Sequence, residues 1–135
     1  MSLINDSILL LINVLHLIVI VFILGAPFSG SNYLLFMHTV FVPFIMLHWL
    51  LNNNTCSLTL AEKYIREATY GVKTKDEECF AYKVIVPIYD FNKNFEAYSY
   101  FTWSLTFGLW SISLYTLIDR INSGEIKSFT DLAQV

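Results

Sequence analysis

From Ser7 to Leu51 the chain carries no Asp, Glu, Lys or Arg. A soluble fold cannot cover a stretch this long and apolar with polar surface, because roughly a quarter of a soluble chain is charged. The whole sequence reaches only 14% charged against 56% hydrophobic. Inside lipid every backbone N–H and C=O must be satisfied within the segment itself, which leaves the helix as the natural conformation for such runs. The expectation is an all-α integral membrane protein, a helical bundle forming one membrane domain over residues 1–135.

About twenty residues at 1.5 Å each cross a hydrocarbon core of roughly 30 Å. Three segments meet that length: 8–26, 33–51 and 100–118. In the first, Asp6 or Ser7 is placed to cap the free N–H groups, and Gly25, Pro27 and Gly30 end it. The connection to the second is short and uncharged, so the two are expected to run antiparallel. Pro43 lies inside the second span and predicts a kink, since proline removes one backbone donor. In the third span Thr102, Ser104, Gly108 and Ser111 are small enough for close helix–helix contact. The opening "MSLINDS" lacks a basic n-region and no small-residue cleavage site follows, so the first run reads as a retained signal-anchor.

Residues 52–97 form the polar loop. Three asparagines, Asn52 to Asn54, close the second span. Thr59 then predicts a helix start, with Glu62 three residues on as its capping-box partner and Gly71 as the stop. Leu60, Tyr64 and Ala68 share one face, which predicts an amphipathic helix lying along the interface. "CFAYKVIVPIYDF", Cys79 to Phe91, is too short to span and too apolar for water. It reads as interfacial or re-entrant, with a fourth span as the alternative.

Six of the eight basic residues (Lys63, Arg66, Lys73, Lys75, Lys83 and Lys93) fall in this loop. The positive-inside rule puts it on the cytoplasmic side. The glycosylation patterns at Asn5 and Asn53 would then go unused, and Cys56 and Cys79 would be reduced thiols.

All three histidines, His16, His38 and His48, fall within spans, where an ionisable group raises a functional question by default. At 1.5 Å per residue no two are level. The leading expectation is a neutral imidazole bonded to a neighbouring helix, with His48 beside Trp49 as an interfacial anchor. The alternatives are haem or metal ligation by His16 and His38, or a proton path.

Cys56 stands before a helix N-terminus, where a thiol is activated or acylated. The competing reading is a small side chain packed under the Leu58–Leu60 turn. A zinc site from His48, Cys56, Cys79 and Glu62 matches no compact spacing.

The segments that punctuate the chain form a pattern. His16 and Gly25 lie in the first span and His38 in the second; "TCSLTLAEKYIRE" and "YKVIVPIYDF" follow. This resembles a family of small, uncharacterised bacterial integral membrane proteins marked by a Cys-Pro-Leu-Thr…Glu run. It resembles more closely the similar uncharacterised membrane proteins of large DNA viruses. The matching positions are Cys56, Leu58, Thr59, Glu62, Pro87 and Tyr89, and Ser57 replaces the proline of the bacterial run. The resemblance implies an architecture and no reaction.

A net charge of −3 without a basic stripe gives no reason to expect nucleic acid as a partner. No phosphate loop, Ser-His-Asp ordering or potassium-filter sequence is present. The expected function is therefore non-enzymatic. It is a small polytopic membrane component with a structural or assembly role, in a viral internal membrane as one setting, whose partners are the lipid bilayer and other membrane proteins or copies of itself. No cofactor is expected. A haem- or metal-binding protein and a small pore or transporter are the alternatives.

Overall fold

The computed structural model describes residues 2–75, 78–85, 87 and 95–133. The described residues are helical, with no strand among them. Six helices follow in order: α1 (Ser2–Gly25), α2 (Asn32–Leu51), α3 (Ser57–Tyr70), α4 (Phe80–Ile85), α5 (Phe95–Asn122) and α6 (Phe129–Leu132), with one 3-10 turn at Ala26–Phe28. Among the described residues α1, α2 and α5 are the three helices long and apolar enough to cross a membrane. α4, at six residues, is about 9 Å long and cannot span. Residues 86 and 88–91 of the Cys79–Phe91 segment, Tyr89 included, lie outside the described residues.

Three boundaries differ from the sequence expectation. α1 begins at Ser2, so neither Asp6 nor Ser7 caps it. The Ser7 hydroxyl donates instead to the Leu3 carbonyl one turn back, at 2.8 Å, which lets a polar residue sit inside a helix. α5 runs beyond the expected 100–118 span at both ends. α3 starts at Ser57 with Cys56 at the N-cap, which places Thr59 and Glu62 inside the helix and buries both. No capping box forms there.

Other stops behave as their chemistry requires. Gly71 adopts φ +69° and its N–H closes onto the Glu67 carbonyl at 2.9 Å, the left-handed cap that only glycine adopts freely. Asn53 and Asn54 also take positive φ. The Asn54 N–H reaches the Trp49 carbonyl at 2.7 Å, and the Asn52 side chain reaches the His48 carbonyl at 2.9 Å. The asparagines therefore satisfy the last open carbonyls of α2.

The chain divides into two compact units. The first holds residues 1–19 and 48–99, and the second holds 20–47 and 100–135. The first buries Leu9, Ile12, Trp49, Cys79 and Tyr82. The second buries Leu35, Val42, Leu109, Leu117 and Ile126. The tail after α5 folds back within this second unit. Ile126 joins the Leu35–Leu117 core, and Phe129 meets the Phe36 ring edge-on at 6.0 Å. A capping box between Ser128 and Asp131 starts α6.

Most of the apolar surface of the three long helices points outward. Leu10 is 65% exposed, Val21 60%, Phe44 66% and Phe107 55%. A surface this continuous in large hydrophobic side chains is one that water does not favour.

Candidate functional site

In the second unit, prolines create the polar chemistry. Pro27 has no N–H to offer the carbonyl of Ile23 four residues earlier, and Pro43 likewise offers none to Thr39. Each freed carbonyl receives a side-chain donor from another helix. His38 Nε2 lies 3.0 Å from the Ile23 oxygen, and Trp110 Nε1 donates to the Thr39 oxygen at 3.0 Å. A carbonyl only accepts, so His38 carries its proton on Nε2 and presents a lone pair at Nδ1. Its ring packs against Phe22 at a centroid distance of 5.5 Å. His38 and Ser113 are fully buried, and neither His38 Nδ1 nor Ser113 Oγ has a hydrogen-bond partner among the described residues.

A second fastening joins α5 to the start of α2. Arg120 donates to the Gly30 carbonyl at 2.8 Å and to Oδ1 of Asn32. Gly30 holds φ +75°, which turns that carbonyl out of the connection. Trp110 and Arg120 therefore grip α2 at two heights along one face.

The first unit is organised around Glu62, whose side chain is fully buried on α3. Its two carboxylate oxygens accept the Phe80 amide at 3.2 and 3.0 Å, and Oε1 also accepts Arg66 Nε at 2.9 Å. A buried carboxylate is tolerated when it is paired and hydrogen-bonded in this way. The ring of Phe80 lies against His16, with centroids 6.2 Å apart. His16 is 4% exposed, and its Nδ1, like Oδ1 of nearby Asn13, has no partner among the described residues. Glu62 thus docks the start of α4 onto α3, while His16 closes the other side of Phe80.

His48 supplies what Cys56 does not. No side chain caps α3 from its N-cap position, and the Ser57 N–H donates to His48 Nε2 at 2.9 Å. The cap of α3 therefore comes from the last turn of α2, nine residues back. Cys56 is half-buried and Cys79 is buried; neither forms a disulfide, and Cys79 Sγ donates to the Lys75 carbonyl at 3.6 Å. Leu58 is half-buried on α3, and Pro87 is an exposed turn residue.

His16 belongs to the first unit and His38 to the second. His38 keeps Nδ1 as a potential ligand, and His16 Nδ1 is without a partner among the described residues. Among the described residues no group of three or more His, Cys, Asp or Glu is placed to hold a metal ion, and the set His48, Cys56, Cys79 and Glu62 forms none.

The small residues of α5 do not form its inward side within the chain. Ser104 and Gly108 are exposed, and a Cβ at Gly108 would meet nothing within 4 Å. Thr106, Leu109, Ser113 and Leu117 form the inward side instead. Sequence reasoning missed Trp110 and Arg120 as fasteners. The signal for Trp110 was present in Pro43, which names the carbonyl that needs a donor without naming the donor.

No protein-family model matches the chain, and neither a curated protein nor a solved structure is significantly similar to it.

Proposed function

We propose that this chain is a three-span integral membrane protein with a structural role, self-associating through the outer face of α5. The observation that carries this is the exposed surface around Gly108. Ser104 and Gly108 leave the helix backbone open, and Leu105, Phe107 and Ile112 flank it as exposed apolar side chains. In lipid, helices associate by close backbone approach at such small residues. The polar groups support the same reading, since Glu62, His38, Trp110 and Arg120 are engaged in intramolecular contacts. The basic residues of the 52–97 loop favour a cytoplasmic loop, which puts the N-terminus on the same side and the C-terminus opposite. The resemblance to membrane proteins of large DNA viruses makes a viral internal membrane one setting for this role.

The test is the oligomeric state in lipid nanodiscs or liposomes, read by single-molecule photobleaching. Gly108→Leu should weaken self-association about tenfold or more, on the order of 1.4 kcal/mol, with the helical content unchanged. Unaltered association in that variant would overturn the reading.

The haem- or metal-binding reading retains one specific observation, the free Nδ1 atoms of His16 and His38. An absorption spectrum of the purified protein with metal analysis decides it. A Soret band or stoichiometric metal lost on His16→Ala or His38→Ala favours that reading over packing.

A further inference from the structure

We propose that α3 is wedged into the interfacial layer of the bilayer, with Leu60 and Tyr64 against lipid and its polar face against the protein. This rests on the reading of α1, α2 and α5 as membrane spans. α3 is inverted relative to a helix on a water-soluble surface. Its inward side carries Thr59, Glu62 and Arg66, of which the first two are buried. Its outward side carries Leu60, 42% exposed, and Tyr64, 73% exposed, followed one turn on by exposed Ala68. The spacing of four residues puts these on one ridge.

Two bonds fix the height and rotation of this ridge. The Ser57 N–H on His48 Nε2 ties the first turn of α3 to a residue three positions before the end of α2, about 4.5 Å inside that end. If α2 spans, α3 starts at the boundary between hydrocarbon and headgroups. The Phe80 amide on Glu62 then holds the polar side inward, so α3 cannot turn it toward water without uncovering a buried carboxylate. The exposed side at that depth is the Leu60–Tyr64–Ala68 ridge, with Lys63 and Glu67 partly exposed along its edge. Leucine and tyrosine suit it, one apolar and one with an apolar ring and a polar tip. The polarity of the surrounding charges gives no preference for anionic lipid, so the partner is the bilayer interface itself.

The test uses the full chain in nanodiscs of zwitterionic lipid. Spin labels go at Leu60→Cys and Tyr64→Cys in a Cys56→Ala, Cys79→Ala background, with Ile18→Cys and Phe44→Cys on the spans and Lys73→Cys beyond Gly71 as references. Oxygen should collide with labels 60 and 64 several-fold more often than a water-soluble nickel chelate, as at 18 and 44, with the order reversed at 73. Nickel access at 60 and 64, or exclusion of both reagents, overturns the assignment. If 18 and 44 also favour nickel, the membrane-spanning reading has failed with it. Photolabelling of the unsubstituted chain by a lipid-soluble diazirine provides the check that needs no variant. Label on Tyr64 is the expected result, and its absence beside labelled spans counts against the proposal.

Discussion

His38 donates from Nε2 to the carbonyl of Ile23, the one oxygen in that turn of α1 whose helical donor is abolished by Pro27. The histidine and the proline are thus two halves of one arrangement, eleven positions apart in sequence. The first makes good what the second removes. A buried imidazole in an apolar helix is usually read as a ligand or a proton carrier, and here it has a structural task that the backbone defines.

Replacing His38 by Phe keeps a ring against Phe22 and leaves the Ile23 carbonyl without its donor. The expected cost is about 1–3 kcal/mol, the desolvation penalty of an unsatisfied buried group. Pro27→Ala restores an N–H in the right place, so the same His38→Phe change should cost about 1 kcal/mol less in that background. Reversible unfolding in mixed detergent measures the cycle. Equal costs in both backgrounds would show that the carbonyl is not what His38 serves.

Trp110→Phe tests the parallel arrangement at Pro43. The aromatic body remains and only the indole N–H to Thr39 is lost, so the expected loss is about 0.6–1.5 kcal/mol. Solid-state NMR should show the Thr39 carbonyl shift moving toward a weaker hydrogen bond. An unmoved Thr39 signal is the contrary result.

Glu62→Gln keeps the size of the side chain and removes its charge. Hydrogen bonds to charged groups contribute about 1.5–3 kcal/mol, so the Phe80 amide should exchange with deuterium about ten- to a hundredfold faster. Exchange in α5 should not change, because α5 residues from Tyr100 onward belong to the other unit. Unaltered protection at Phe80 would remove Glu62 from its place as the tie between α3 and α4.

Asp131 gives a pH dependence of known sign. The N–H groups of Lys127 and Ser128 donate to its carboxylate at 2.8 and 2.9 Å and hold its pKa below the usual carboxylate value. A group depressed in the folded state contributes stability above its unfolded pKa, and that contribution is lost as pH falls through the folded one. The turn entering α6 should therefore hold at neutral pH and fray on acidification below the normal Asp range. The amide shifts of Lys127 and Ser128 report it, and Asp131→Asn should abolish most of the change.

The three long apolar helices were legible because a helix able to cross a membrane needs only composition and length. The asparagine stop and Gly71 were legible because both act on their own backbone. At Thr59 and Glu62 the reading failed because the partners lay far along the chain. Thr59 and Glu62 carry the spacing of a capping box, yet Glu62 binds an amide eighteen residues away and the cap of α3 comes from His48. Ser7 looks like a cap by residue type, but a hydroxyl can return to the carbonyl one turn behind it. Pro27 and Pro43 announce which carbonyls are open. Which side chains close them depends on how helices meet, and no local pattern encodes that. The C-terminal helix went unread, although Ser128 and Asp131 carry the spacing of a capping box that starts it.

The grip of α5 on α2 at Trp110 and Arg120 has a mechanical consequence. The two residues are ten positions apart, about 15 Å along the helix. Two anchors at different heights remove both freedoms that a cylinder against a cylinder ordinarily keeps, sliding and rolling. A slip of one helical turn, 5.4 Å, would break both at once and leave the Thr39 carbonyl, already opened by Pro43, without a donor. Of the motions open to it, this stretch of the protein keeps a tilt of α5 together with α2 and loses a ratchet between them.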